Sequence, residues 1–179
     1  LQYDQQIVVN RVRDTILETS RGIYFNETDN NLVVLSDNPD YPLNSNARYN
    51  VTGIRLDAAN HELLIGSVNL DALPASADMR FESGESLLSD CVTEFKVDLT
   101  DVEKNVIVLG EKKLKEIKKV TVTLTFTVGQ REVTVNPVIA LRNSINVVES
   151  DDDMGDIWTE TSGEDLAYSH IASVSISRD

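Results

Sequence analysis

The residues that could do catalytic chemistry are few and scattered along this chain of 179 residues. Its two histidines, His61 and His170, lie far apart with no motif around either, and its one cysteine, Cys91, falls in a segment expected to be half-buried. A turn histidine and a packed thiol are the simpler interpretations, although sequence distance leaves a Cys/His pair open. The sequence has no nucleophile-elbow, Walker-type or dinucleotide-type glycine pattern. We therefore predict no catalytic, cofactor-binding or metal-binding residues and no enzymatic activity.

An acidic stretch near the C-terminus raises the question of calcium. Asp151, Asp153 and Gly155 resemble the start of a calcium loop, in which alternate oxygen ligands flank a glycine. The EF-hand spacing fails, because the glycine comes one residue early and Ser162 stands where the twelfth position requires glutamate. A solvated acidic linker is the interpretation we favour, and an irregular Ca²⁺ site is the alternative; calorimetry with Ca²⁺ separates them.

Charge argues against a nucleic-acid partner. The formal net charge is −14, with 30 acidic residues, and such a surface repels phosphate backbones. A basic run interrupts this acidity, either as a solvated face or as a weak, salt-sensitive docking patch for an acidic segment of a neighbouring subunit. Its members are Lys112, Lys113, Lys115, Lys118 and Lys119.

The N-terminal segment has the strongest helical pattern. Ile7 and Leu17 fall among its polar positions, either as two exposed aliphatic residues or as a second apolar surface for a neighbouring subunit. Gly22 is the predicted end of the helix, after Arg21 in its last turn. The predicted core-facing stripe consists of Leu1, Val8, Val9, Val12 and Ile16.

Strand signals dominate from residue 23 onwards, separated by clusters of Asn, Asp, Gly and Pro. Residues 67–90 have a poorer pattern and are expected to be mainly loop. The predicted strands are Ile23–Phe25, Leu32–Leu35, Tyr49–Leu56, Glu62–Gly66, the alternating Phe95–Leu99 and Val106–Leu109.

A hairpin is the sharpest local prediction. Apolar residues alternate strictly with threonines over residues 120–128, as in a strand with one buried face. The following Gly129-Gln130 fits a two-residue type II′ turn, which has glycine first. That turn pairs Phe126 with Val133 and puts both on the apolar face, so turn and hydrophobic pattern predict the same register.

This order of elements predicts an α+β fold with one N-terminal helix packed on an antiparallel sheet. Four segments also resemble those of a known family. They are Ile7–Tyr24, Tyr49–Leu56 together with Leu63 and Leu64, Cys91–Leu99, and Val120–Asn143, which closes with Leu-Arg-Asn. Together they span roughly residues 1–143. They are similar to the minor pseudopilin J of type II secretion and the type IV minor pilin W, as found in Gram-positive bacteria.

The resemblance implies a pilin-like head over residues 1–143, with an acidic C-terminal appendage over residues 144–179. It implies a structural subunit that helps initiate, cap or decorate a type IV pilus or a type II secretion-like filament at the cell surface. The partners would be other pilin or pseudopilin subunits, contacted through the N-terminal helix, where Ile7 and Leu17 are candidates for filament contacts. Membrane contact would come only through a segment preceding Leu1, which would anchor the subunit before assembly.

The alternative function is an extracellular β-rich binding module for a carbohydrate or a host surface, with the helix as scaffold; a small hydrolase is a third. Aromatic residues make up 6% of the chain, and the only tryptophan, Trp158, lies in the acidic stretch. No stacked-sugar site is therefore evident on the sheet, which disfavours the carbohydrate option. The sequence that precedes Leu1 would separate the first two functions, since a prepilin leader and an apolar helix mark a pilin.

Overall fold

The computed structural model describes residues 2–74, 76–81, 84–99, 119–141 and 146–148. The α+β prediction with a pilin-like helix on a sheet is wrong, because strands make up 51% of the described chain and form two sheets. No described helix is long and apolar enough to span a membrane. In chain order the elements are α1 (Gln2–Leu17), β1 (Gly22–Asn26), β2 (Asn31–Asp37), β3 (Tyr49–Asp57), β4 (Glu62–Leu70), β5 (Ser86–Ser89), β6 (Val92–Asp98), β7 (Lys119–Val128), β8 (Arg131–Val135), β9 (Val138–Ala140) and β10 (Asn146–Val148).

The first sheet has the strand order β10-β1-β2-β3-β4-β5 and is antiparallel except where β10 pairs in parallel with β1. The second sheet is antiparallel: β6 lies on one side of β7, and β8 and β9 share its other side. Helix α1 contacts β5 and β9, which are edge strands of the two sheets. It therefore packs against one edge strand of each sheet.

The main core lies between the sheets and takes in the inner face of the helix. Val8, Val12 and Ile16 are buried there, as the helical pattern predicted. Phe25 on β1 and Phe95 on β6 meet edge to face with ring centroids 5.7 Å apart, which ties one sheet to the other. Burial of these apolar side chains away from water is the main force that favours folding.

The helix ends earlier than its sequence pattern suggested. It stops at Leu17, and Gly22 begins β1 instead of capping the helix. The backbone N–H groups of Ser20 and Arg21 both point to the carbonyl oxygen of Leu35, at 3.4 and 3.0 Å. The turn after the helix is thus fixed by β2 rather than by a glycine cap.

The predicted hairpin is confirmed. Gly129 has a φ of 63°, and no positive φ occurs at Gln130, which is the pattern of a type II′ turn. Phe126 pairs with Val133, as the turn required. On the opposite face, the hydroxyls of Thr125 and Thr134 lie 2.8 Å apart.

The stretch predicted as loop contains more structure than expected. Strand β4 continues to Leu70, and β5 spans Ser86–Ser89. Between them the cover segment (residues 76–81 with Gly84 and Glu85) packs on the outer face of the first sheet. This packing makes a second core of Tyr24, Val33, Leu35, Tyr49, Val51 and Ala77, with Leu70, Leu73, Met79 and Phe81 against it.

Two glycines make room for the cover segment. Gly53 on β3 and Gly66 on β4 are directly paired across the strands, and the Phe81 side chain lies over both. A Cβ added at either position would come within 2.5 Å of Phe81. Glu85 then fastens the segment by accepting hydrogen bonds from Nε and Nη2 of Arg55, each at 2.8 Å.

Candidate functional site

One face of helix α1 is exposed and does not pack against the core. Ile7 and Leu17 are 45% and 40% exposed and lie on the side opposite the buried stripe. Asn10 and Asp14 fall between them on the same side of the helix, at alternating spacings of three and four residues. We call these four residues the outer helix face; at 1.5 Å per residue its apolar ends are about 15 Å apart.

The polar centre of the outer helix face is ordered by its own helix. The side-chain oxygen Oδ1 of Asn10 accepts hydrogen bonds from Nε2 of Gln6 at 3.0 Å and from Nη1 of Arg13 at 3.1 Å. Fixed polar groups between two apolar residues are suited to setting the register of a second helix. Burying the exposed part of each aliphatic side chain would contribute about 1 kcal/mol, since full burial is worth about 1.5–3 kcal/mol.

A second exposed surface lies in the end loop, residues 38–48 between β2 and β3. Leu43 is 90% exposed and Tyr41 is 41% exposed. The buried side chain of Asn38 holds the loop in shape, because its amide nitrogen donates to the Ala47 carbonyl oxygen at 2.8 Å and its carbonyl oxygen accepts from the Asp40 N–H at 3.1 Å.

Arginine and tyrosine side chains brace the base of the end loop. The Arg48 guanidinium lies 5.6 Å from the ring centroids of both Tyr41 and Tyr49. The Arg21 guanidinium also lies over the Tyr49 ring, 5.3 Å from its centroid, and its Nε donates a hydrogen bond to Asp37 at 2.7 Å. Each cation–π contact contributes about 0.5–2 kcal/mol, so Tyr41 is held in a fixed position although it faces solvent.

Of the candidates for a Cys/His pair, the structure describes Cys91 and His61, and no hydrogen bond joins their side chains. The Cys91 thiol is half-buried and lies 3.4 Å from the Ser89 hydroxyl. His61 is exposed in the β3–β4 turn with a φ of 58°, in agreement with its interpretation as a turn residue. The His61 carbonyl oxygen accepts from the Val92 N–H at 3.2 Å, so the two chain segments meet through backbone rather than through imidazole and thiol.

Other candidates lie outside the described residues. These are His170, Trp158, the calcium-loop candidates Asp151, Asp153 and Gly155, and the lysine run apart from Lys119, which begins β7 and is exposed. Within the part of the chain that the structure describes, no three His, Cys, Asp or Glu side chains are grouped to hold a metal.

Two pKa shifts mark local polar structure. The side chain of Asn60 donates to Asp57 and lowers the pKa of that carboxyl group, while burial opposes the change. Burial lowers the pKa of Arg80, but its hydrogen bond to Asp29 and the nearby charge of Asp78 outweigh this, and the net shift is upward. Both groups are tied by hydrogen bonds to loops of the first sheet.

The helical wheel placed Ile7 and Leu17 away from the core stripe, and both are exposed; the end loop and the cover segment were not predicted. A signal for the cover segment was present, because glycine inside a strand often marks the close approach of another group, as Gly53 and Gly66 do here. No signal distinguished Leu43 from an ordinary loop leucine. No family model, curated protein or solved structure matches this chain.

Proposed function

We propose that this chain is a structural subunit that joins a filament or another cell-surface assembly through its outer helix face. The observation that carries the proposal is the pair Ile7 and Leu17, exposed on the side of the helix turned away from the core. The segments that resemble minor pilins and pseudopilins point the same way. The pilin-like arrangement of helix and sheet is not part of the proposal, because the fold differs.

The spacing of the exposed residues on the outer helix face supports this proposal. Single exposed aliphatic side chains are common on protein surfaces. Here, however, two of them end a line whose spacing of three and four residues is that of a helix–helix seam, with Asn10 and Asp14 between. Each contact would contribute only about 1 kcal/mol, which suits an assembly that repeats the contact many times and not an isolated pair.

The test is incorporation into the assembly in cells that encode the chain. We expect the double variant Ile7→Glu/Leu17→Glu to fold but to be lost from the assembled fraction. The matched control is Val128→Glu/Val138→Glu, whose wild-type side chains are 48% and 54% exposed on the second sheet; this variant should be incorporated normally. Normal incorporation of a folded helix variant would contradict the proposal.

A second candidate function is an extracellular binding module. The two-sheet architecture favours it, since packed antiparallel sheets with loops at their ends are a common framework for surface recognition. The end loop would be the recognition element, with Tyr41 and Leu43 at its tip. If the helix variant assembles normally while Leu43→Asp abolishes adhesion of cells to a surface, this second function gives the better account.

A further inference from the structure

The turn between β1 and β2 carries a short motif that a covalent surface modification requires. Asn26-Glu27-Thr28 has the form Asn-x-Ser/Thr with a residue other than proline in the middle, which is the acceptor signal for N-linked glycosylation. The chain has one other such motif, Asn50-Val51-Thr52. An acceptor belongs in a surface loop of an exported protein, so the structural setting of each motif decides whether it can be modified.

The first motif lies in an exposed hairpin turn. Asn26 ends β1 and is half-buried, whereas Glu27, Thr28 and Asp29 are all exposed. The side-chain oxygen Oδ1 of Asn26 accepts hydrogen bonds from the backbone N–H groups of Thr28 and Asp29, at 2.9 and 3.2 Å. This asparagine turn holds the motif in a compact loop at the surface, where a transferase has access to it.

The second motif has a different setting. Asn50 lies inside β3, where it is paired with Ser36 on β2 and with Asn69 on β4. Asn50 and Thr52 are both half-buried. Because strands are hydrogen-bonded to β3 on both sides, this motif cannot form a turn. It therefore provides an internal control for the first motif.

The amide nitrogen of Asn26 can exchange one hydrogen for a sugar at little cost to the turn. Nδ2 donates to Asp78 at 2.9 Å and to Asp29 at the longer distance of 3.3 Å. A sugar replaces one of the two hydrogens on this nitrogen, and the other hydrogen can keep the shorter bond to Asp78. The Asp29 oxygen that loses the longer contact still accepts from Nη2 of Arg80 at 2.6 Å.

We propose that Asn26 is the attachment site of an N-linked saccharide. Its Nδ2 attacks the anomeric carbon of a saccharide carried on a lipid phosphate. The nitrogen–carbon bond forms while the carbon–oxygen bond to the phosphate breaks, and the phosphate leaves with the bonding electrons. The proton released from Nδ2 passes to a base of the transferase. Thr28 determines specificity, because the acceptor signal requires a hydroxyl two residues after the asparagine.

This inference rests on the proposed function in one respect, since it requires a chain that is exported to the cell surface. It does not depend on the outer helix face. Variants of Ile7 and Leu17 leave the motif intact, and variants of Thr28 leave the helix intact. Failure of the modification is therefore distinguishable from failure of the assembly proposal.

The test is mass spectrometry of tryptic peptides from the chain, isolated from the surface fraction of cells that encode it. Cleavage after Arg21, Arg48 and Arg55 separates the two motifs into peptides 22–48 and 49–55. Peptide 22–48 should carry a saccharide on Asn26, and a glycan-removing amidase should convert that asparagine to aspartate. Peptide 49–55 should be unmodified.

Variants of Thr28 separate the modification from folding. Thr28→Ala should abolish the saccharide on peptide 22–48, whereas Thr28→Ser, which keeps a hydroxyl, should retain it. Both variants preserve Asn26 and the backbone N–H of residue 28, and circular dichroism establishes that both are folded. An unmodified peptide 22–48 in wild-type chain at the cell surface, or a saccharide that survives Thr28→Ala, would overturn the proposal.

Discussion

Phe81 packs over two strand glycines, Gly53 and Gly66. Phe81→Ala should relieve the steric conflict that Gly53→Ala creates, but not the one that Gly66→Ala creates. At Gly53 an added Cβ would lie 2.5 and 2.8 Å from Cε2 and Cδ2 of the Phe81 ring, and the next neighbour, the Leu32 carbonyl oxygen, is at an ordinary 3.7 Å. At Gly66 the closest atom is the Cβ of Phe81, also at 2.5 Å. Shortening Phe81 to alanine removes the first conflict and keeps the second.

The expected magnitudes follow from two opposing effects. Alanine is favoured over glycine within a strand by roughly 0.5–1 kcal/mol, while forcing extra atoms into a packed site costs about 1–3 kcal/mol. Gly53→Ala should therefore destabilise the wild type by up to about 2.5 kcal/mol. In a Phe81→Ala background the same change should be neutral or stabilise by about 0.5 kcal/mol. Gly66→Ala should destabilise both backgrounds.

The assay is urea unfolding followed by far-ultraviolet circular dichroism, applied to all four members of each mutant cycle. The decisive result is the change of sign for Gly53→Ala between the two backgrounds. If Gly53→Ala costs the same free energy with and without the Phe81 ring, the cover segment does not lie on β3 and β4 as described. A rescue of Gly66→Ala by Phe81→Ala would contradict the placement of the Phe81 Cβ.

Two further predictions concern the polar groups of the first sheet. Asn60→Ala should raise the pKa of Asp57 towards 3.8, which NMR titration would measure. Because the folded-state pKa of Asp57 is depressed, its carboxylate stabilises the fold at pH values above its unfolded-state pKa. That contribution is lost as the pH falls through the folded-state pKa. An unchanged Asp57 pKa would rule out the hydrogen bond. Glu85→Gln should lower the free energy of unfolding by about 1–3 kcal/mol, since the Glu85 side chain is 8% exposed and that of its partner Arg55 is 27% exposed. A loss below about 0.3 kcal/mol in urea unfolding would show that the ion pair does not fasten the cover segment to the sheet.

Local pattern was sufficient where one short segment determines its own structure. The hairpin has a glycine in the first turn position and a strict two-residue repeat, so turn geometry and burial of Phe126 and Val133 required the same register. The buried helix stripe was equally local, because Val8, Val12 and Ile16 repeat at helical spacing.

The fold class was not local and was missed. The second sheet packs on the first through contacts such as Phe25 with Phe95, which are far apart in the sequence. The continuous burial of β2 also depends on distant residues, since the cover segment shields one of its faces and the second sheet shields the other. A single-helix pattern followed by strands is compatible with several such arrangements.

The candidate functional residues likewise include some that the local sequence pattern predicts and some that depend on contacts between distant residues. Ile7 and Leu17 could be predicted because a helical wheel places them away from the core stripe. The end loop could not, since its shape depends on the hydrogen bonds of the Asn38 side chain and on the Arg48–Tyr41 contact. These contacts join residues that no sequence repeat connects.

The central claim is that the outer helix face contacts a neighbouring subunit, and site-specific photocrosslinking in cells tests it most directly. A benzophenone amino acid replaces Ile7 in one variant and Val128, which is similarly exposed at 48%, in the other. The account predicts a crosslinked product from position 7, with the attachment on a helix of another subunit, and little or none from position 128. No product from position 7 in correctly assembled protein, or equal products from both positions, would contradict it.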